Sequence, residues 1–205
     1  MSRWPRHRLL AGIVGVLLAT GEAGAQETGP DAVVERLNAA LLDAMRSADE
    51  LGYSGRFERL EPVLTEVFNF PFMARIAVGQ SWRELGEAER ERLVDLFADM
   101  SVANFAARFD GYAGEQFEIT GQAPGPREAV LVESRLVRPQ DEPVGIDYLV
   151  REFDGEWQII DVLLDAKFSE LARQRAEFSA ILRDGGVQDL VASLEQKIEQ
   201  LETGG

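Results

Sequence analysis

The sequence predicts an α+β fold, in which helices come first, a block of strands follows, and helices return at the end. Three observations predict it. Apolar residues recur at helical spacing through the first half of the chain, alternate with polar residues between positions 116 and 163, and resume helical spacing from Ala166. Helices followed by a run of strands are typical of α+β domains. With no evident linker after residue 25, residues 26–205 are expected to form a single domain.

Four helices are expected before the strands. The first covers Ala32 to Met45, and the pair Gly52 and Gly55 is expected to interrupt the helical pattern. The other three helices cover Phe57 to Phe68 with Pro62 in the first turn, Phe70 to a C-terminal cap at Gly79, and Gly86 to about Tyr112.

Four strands are expected in the middle of the chain, at Gln116–Thr120, Ala129–Val137, Val144–Phe153 and Trp157–Leu163. The pair Asp154-Gly155 indicates a tight hairpin, because both central residues of a type I′ turn need positive φ. Short connections predict a four-stranded antiparallel meander. After the strands, Phe168, Leu171 and Phe178 indicate a helix that is broken at Gly185-Gly186 and followed by a final helix from Val187 to Leu201.

The first 25 residues resemble a secretory signal peptide. Three arginines precede an uncharged apolar stretch from Leu9 to Thr20, and Ala23-Gly24-Ala25 supplies small residues for cleavage before Gln26. A membrane anchor is the alternative, but twelve helical residues rise only about 18 Å against a hydrocarbon core of about 30 Å. The sequence therefore predicts a soluble domain in the periplasm, with the signal peptide cleaved near Ala25.

Charge and composition exclude several classes of function. Cleavage would remove three arginines and one glutamate, changing the formal charge from −15 to −17. A body this acidic is repelled by phosphate backbones, so nucleic acid is not an expected partner. The single histidine is His7, inside the signal peptide, and the chain has no cysteine. The mature chain therefore lacks the commonest general base and the usual zinc ligands, and neither a metal nor a cofactor is expected.

Several motifs resemble one family. Phe68-Asn69-Phe70-Pro71-Phe72-Met73-Ala74-Arg75, Val78-Gly79-Gln80-Ser81-Trp82, Tyr112-Ala113-Gly114-Glu115 and Trp157-Gln158-Ile159-Ile160-Asp161-Val162 are similar, in order and spacing, to motifs of the MlaC or toluene-tolerance family of periplasmic lipid-binding proteins. The resemblance implies a non-enzymatic lipid carrier that contributes to outer-membrane lipid asymmetry. It would hold acyl chains in an apolar cavity between the sheet and the N- and C-terminal helices. It would exchange lipid with an inner-membrane lipid transporter and an outer-membrane complex.

Two departures from the family pattern bear on the cargo. Asn69 stands where the family usually has aspartate, which keeps an N-capping side chain and loses its charge. The run from Leu163 to Leu171 is more similar to the hopanoid-associated HpnM branch. Both a phospholipid and a hopanoid-type lipid therefore stay open as cargo.

Candidate lipid-binding residues come from the third helix and its exit, the fourth helix and the sheet. For each of them, simple core packing is the alternative, because buried apolar residues usually just pack. The hydroxyls of Tyr112 and Tyr148 are candidates for a pocket mouth. The lipid-binding candidates are Phe72, Ile76, Val78, Trp82, Phe97, Met100, Phe105, Phe109, Val132, Ile146, Tyr148 and Ile159.

Two other classes of function stay open. A small acid–base enzyme would use an aspartate in an apolar pocket, and Asp161 is the best candidate. For Asp161 a structural hydrogen-bonding role is favoured, and Asp147 is expected to face solvent together with Arg151. A cargo-free interaction module that docks through its closing helix is the other alternative.

Overall fold

The architecture comes from a computed structural model that describes residues 29–204. Five helices and one five-stranded antiparallel sheet form an α+β fold. The strands follow one another in the order β1-β2-β3-β4-β5, which confirms the predicted meander and adds one strand to it. The proposed signal peptide, residues 1–25, lies outside the described residues.

Helix α1 (Pro30–Arg46) begins with proline at its first position, where the missing N–H costs nothing. Its apolar stripe includes Val34, Leu37 and Leu41, which are fully buried. This stripe packs across the sheet, with contacts to four strands. The predicted first helix is therefore confirmed, with slightly wider bounds.

Helix α2 (Ala48–Val67) begins earlier than predicted. Only Gly52, at φ 61° and ψ −170°, departs from helical geometry, whereas Gly55 continues the helix. Pro62 therefore lies inside the helix and not in its first turn, which corrects the sequence prediction. Proline leaves the carbonyl of Glu58 without an intrahelical donor. Both residues are exposed, so water can satisfy that carbonyl.

Helix α3 (Phe70–Val78) is capped at both ends as predicted. Asn69 Oδ1 accepts the amide of Phe72 at 2.9 Å, and Asn69 Nδ2 donates to Gln158 Oε1 on the sheet at 2.7 Å. Gly79 ends the helix at φ 69° and opens a 3₁₀ helix (Gly79–Arg83). Helix α4 (Glu87–Arg108) follows, and it stops four residues before the predicted end at Tyr112.

The sheet is formed by β1 (Gln116–Pro124), β2 (Val130–Arg138), β3 (Asp141–Phe153), β4 (Glu156–Leu164) and β5 (Phe168–Ser169). The hairpin between β3 and β4 has φ 51° at Asp154 and 90° at Gly155, which confirms the predicted turn. The sequence analysis missed β5, because two residues are too few to show alternation. Phe168, which the helical pattern placed on an apolar stripe, is instead 66% exposed on this strand.

Helix α5 (Glu170–Glu202) closes the fold, and its break at Gly186 (φ 79°) lies where the sequence predicted one. Helices α3, α4 and α5 pack against one another, and α1, α2, α3 and α5 cover β4. Within residues 29–204, none of the helices combines the length and the apolar character needed to cross a bilayer.

Candidate functional site

A pocket opens where α3, α4 and α5 meet the inner face of β3 and β4. Its free volume is about 120 Å³, below the roughly 300–1,000 Å³ that is usual for ligand pockets. Most of its lining is apolar, with polar side chains at one side. The lining residues are Phe68, Phe70, Met73, Ser101, Asn104, Phe105, Arg108, Phe109, Ile146, Val162, Leu164, Glu170, Leu171, Arg173 and Gln174.

Aromatic rings form the wall on the helical side. Phe68 stacks on Phe70 with the ring centroids 5.5 Å apart, and Phe105 stacks on Phe109 at 5.8 Å. A tilted contact between Phe68 and Phe105, also at 5.8 Å, joins the two pairs. Phe68 and Phe70 are buried, whereas Phe105 and Phe109 are half-buried and face the opening. The wall thus has a fixed inner part and a more accessible outer part.

The sheet supplies the opposite wall with aliphatic side chains. Ile146 on β3 pairs directly with Leu164 on β4, and Tyr148 pairs with Val162, so these side chains share one face of the sheet. Ile146 is 9% exposed and contributes to the pocket, whereas Tyr148 is fully buried beneath it. A strand pair with this pattern offers a flat apolar surface to the aromatic wall.

Polar groups on the α4 side of the pocket are already hydrogen-bonded. Ser101 Oγ donates to the carbonyl of Phe97 at 2.7 Å, and Asn104 Nδ2 donates to the carbonyl of Met100 at 2.8 Å. These bonds return to the same helix and leave the pocket wall with little free polar surface.

The rim of the pocket carries two arginines, Arg108 on α4 and Arg173 on α5. Arg173 contacts Glu170 at 3.0 Å and Glu177 at 3.2 Å, and its side chain stays 56% exposed. Among the described residues, the buried Oε1 of Gln174 has no hydrogen-bond partner. The rim is therefore polar and carries charges of both signs, because Arg173 is paired with two glutamates, while the interior is apolar.

Asp161 lies behind the pocket, where β4 meets β5 and α5. Its carboxylate accepts hydrogen bonds from Ser169 Oγ at 2.5 Å, from the amide of Leu171 at 3.1 Å and from the amide of Val162 at 2.8 Å. Burial raises the pKa of the Asp161 carboxyl, and these three hydrogen bonds act in the opposite direction. Since the carboxylate holds the start of α5 onto β4, the favoured hydrogen-bonding role has direct structural support.

Asp147 does not face solvent with Arg151, as the sequence analysis expected. It is 6% exposed, and its Oδ1 accepts the backbone amide of Ser134 on β2 at 2.9 Å. The side chain replaces a backbone acceptor inside the sheet, so burial is compatible with its charge. Alternation along β3 assigns Asp147 to the same face of the strand as Arg151, but it does not reveal this hydrogen bond.

The structure distributes the sequence-predicted lipid-binding residues over several places. Phe105, Phe109 and Ile146 line the pocket, whereas Ile76 and Trp82 line a second, basic pocket. Phe72 lies away from both and packs edge-on against Phe153 at 5.5 Å. The others are buried in the core, namely Val78, Phe97, Met100, Val132, Tyr148 and Ile159.

Several lining residues were not selected from the sequence. Phe68 and Phe70, which flank the helix cap at Asn69, both line the pocket. Neither tyrosine hydroxyl lies at its mouth: Tyr148 is fully buried, and Tyr112 is 44% exposed beside Arg46. The motif from Phe68 to Arg75 is the sequence feature from which these two lining residues could have been predicted.

Comparisons with known proteins identify a family and a similar fold. The family model described as "MlaC protein" matches residues 35–196. A solved structure of a phospholipid-binding protein from Ralstonia solanacearum, in complex with a phospholipid, superposes with a TM-score of 0.72 at 19% identity. The match covers 83% of this chain and 97% of that one, and at this identity it shows a shared fold. A search of curated proteins finds no match.

Proposed function

The chain belongs to the MlaC protein family, and from this premise we propose that it is a periplasmic lipid carrier that holds acyl chains in the pocket between sheet and helices. The observation that carries the proposal is the pocket itself, with its aromatic and aliphatic walls and its polar rim. The phospholipid in the structure of the Ralstonia solanacearum protein supports the same ligand class. Family membership also supports the prediction that the chain is not an enzyme.

The energetics of lipid transfer explain why such a pocket suffices. Burying a methylene group is worth about 0.8 kcal/mol, so a sixteen-carbon chain costs roughly 12 kcal/mol to expose to water. A carrier must therefore provide apolar contacts, and it needs no catalytic group. Asp161, the best candidate for acid–base chemistry, has its oxygens engaged by Ser169, Leu171 and Val162.

The present volume of about 120 Å³ is too small for a whole acyl chain. In this proposal, cargo enters by displacing the half-buried rings of Phe105 and Phe109, which face the opening. The inner rings of Phe68 and Phe70 stay in place because both are buried in the core. In this proposal the pocket widens when cargo binds.

The rim suits an anionic headgroup. Among the described residues, Arg108 lines the pocket without an ion pair, whereas Arg173 is paired with Glu170 and Glu177. Arg108 is therefore the group that would bind the phosphate oxygens of a headgroup, since guanidinium groups bind them with good geometry. A hopanoid-type lipid is the alternative cargo, supported by the similarity of residues 163–171 to the HpnM branch. Such a ligand would use the apolar walls and leave the rim arginines without a role in binding.

Periplasmic location and the partner proteins belong to the same proposal. The basic, apolar and small-residue pattern of residues 1–25 supports export. A carrier between two membranes would exchange lipid with an inner-membrane lipid transporter and an outer-membrane complex.

Native mass spectrometry of protein purified from the periplasm tests the proposal. A bound lipid mass that solvent extraction removes is the expected result, and the extracted lipid identifies phospholipid or hopanoid-type cargo. Repeated cargo-free spectra, together with no uptake from labelled liposomes, would refute the carrier and favour the interaction module.

A further inference from the structure

Four arginines from four different elements surround a second pocket, which we call the arginine pocket. They are Arg75 on α3, Arg83 in the 3₁₀ helix, Arg90 on α4 and Arg175 on α5, with Trp82 forming one wall. The pocket is open to solvent and has a free volume of about 570 Å³. It shares no lining residue with the acyl-chain pocket.

One of these arginines, Arg90, is held in place by a backbone hydrogen bond, and Arg175 packs beside the turn at Gly79. Arg90 Nε donates to the carbonyl of Trp82 at 3.1 Å, and its guanidinium lies 5.8 Å from the centre of the Trp82 ring. Arg175 Nη2 lies only 3.6 Å from the position that a Cβ on Gly79 would occupy. Since Gly79 has φ 69°, the turn that makes this close approach requires glycine.

The four arginines differ from several other arginines of the protein, which are paired. Elsewhere, Arg36, Arg59, Arg92 and Arg135 each form an ion pair with a carboxylate. Within residues 29–204, none of the four pocket arginines is in an ion pair, and no acidic side chain lines the pocket. Positive charges that line one pocket repel one another, so an anion bound among them relieves an unfavourable arrangement.

We propose that the arginine pocket binds a phosphate group, either as free phosphate or on the headgroup of a phospholipid. Guanidinium groups that converge from several directions suit a compact anion with several oxygens, and arginine binds such groups through paired hydrogen bonds. The concave shape favours this over an extended acidic peptide, which would need a row of cations. Because the pocket is separate from the acyl-chain pocket, the proposal stands independently of the lipid cargo.

Isothermal titration calorimetry of the purified protein tests this site. The first probe is inorganic phosphate, with chloride at matched ionic strength as the reference, since salt screens diffuse attraction. The second is dihexanoylphosphatidylglycerol below its micellar concentration. Saturable phosphate binding indicates free phosphate as the ligand, whereas saturable binding of the short-chain lipid alone indicates a headgroup.

Variants decide whether the arginine pocket is responsible. Arg175→Gln is expected to weaken binding at least tenfold, because it removes a charge-assisted contact. Arg75→Gln provides a second variant that leaves the contact between Arg175 and Gly79 intact. Arg183→Gln is the matched control, since this residue lies on the same helix with a side chain 71% exposed, and it is expected to change the affinity less than twofold.

Three results would overturn the proposal. They are the absence of saturable binding of both probes, equal losses in the pocket and control variants, and binding of a hexaglutamate peptide with no response to either phosphate probe. Melting temperatures of all variants show whether each is folded. Cargo-free spectra together with no uptake from labelled liposomes would refute the lipid carrier and leave the phosphate titration unaffected.

Discussion

Replacing Leu164 with asparagine tests whether the pocket between sheet and helices holds acyl chains. Leu164 is half-buried on β4 and lines the pocket, whereas its neighbour Leu163 is also half-buried and does not line it. Successive side chains of a strand point to opposite faces. Leu163→Asn is therefore a matched control, with the same chemical change on the same strand.

The magnitude follows from the pocket volume. At about 30 Å³ per methylene-sized group, taken as the share of one water in the liquid, a volume of about 120 Å³ accommodates roughly four such groups. At about 0.8 kcal/mol each, contact with the closed pocket is worth about 3 kcal/mol to the lipid. Leaving one amide unsatisfied beneath an acyl chain costs about 1–3 kcal/mol. We expect Leu164→Asn to weaken binding roughly 30-fold, and by no more than about 200-fold.

Titration with a fluorescent phospholipid measures this effect, and thermal unfolding shows that both variants are folded. Leu163→Asn should retain the wild-type affinity within about threefold. Unchanged affinity in a folded Leu164→Asn protein would refute the assignment of this pocket, as would equal losses in both variants. In either case the carrier proposal itself would depend on mass spectrometry alone.

Three further predictions concern polar groups around the core. Tyr148→Phe should raise the free energy of unfolding in urea by about 1 kcal/mol, because among the described residues the buried hydroxyl has no hydrogen-bond partner. A lower free energy of unfolding in the variant would indicate that the hydroxyl has a partner. Ser169→Ala should lower the free energy of unfolding by about 2 kcal/mol, since the Ser169 hydroxyl accepts the amide of Ala172 and donates to Asp161. A loss below about 0.5 kcal/mol would contradict this capping role. Burial raises the pKa of Asp161 in the folded state, so the folded protein holds this proton more tightly than the unfolded chain. Its contribution to stability is then largest below about pH 4, the unfolded pKa, and decreases as pH rises through the folded pKa. The wild-type advantage over Asp161→Asn should therefore shrink between pH 4 and pH 7 in urea titrations, and an advantage that grows would reverse the sign of the pKa shift.

The sequence predicts elements well where a pattern is long or a turn is chemically specific. Asp154-Gly155 and Gly186 were located correctly because positive φ favours glycine and aspartate at such positions. The start of α2 was misplaced because Gly55 resembles a helix breaker, although its propensity cost is only about 1 kcal/mol and packing outweighs it. Strand β5 was missed because Phe168-Ser169 is shorter than one period of alternation.

The pocket could be predicted only as a region. Phe97 and Phe105 lie on the same apolar side of α4, yet Phe97 is fully buried and Phe105 is half-buried at the opening. Their sequence environments are alike, and the difference arises from what packs opposite each ring. Phe97 meets Phe178 of α5 edge-on at 6.2 Å, whereas Phe105 faces the gap beside the sheet. Helical periodicity identifies an apolar face but not the position where two faces fail to meet.

The buried aspartates show why the sheet favours binding over catalysis. Between the strand pairs Val132–Tyr148 and Arg135–Gly145, hydrogen bonds from side chains replace the regular backbone ladder. Asp147 Oδ1 accepts a hydrogen bond from the amide of Ser134, and Ser134 Oγ donates one to the carbonyl of Ile146. Asp161 is likewise occupied at the start of α5. Each buried carboxylate near the pocket thus satisfies backbone groups that would otherwise be costly to bury. What the sheet presents to the pocket is the apolar side chains alone, which is what an acyl chain requires.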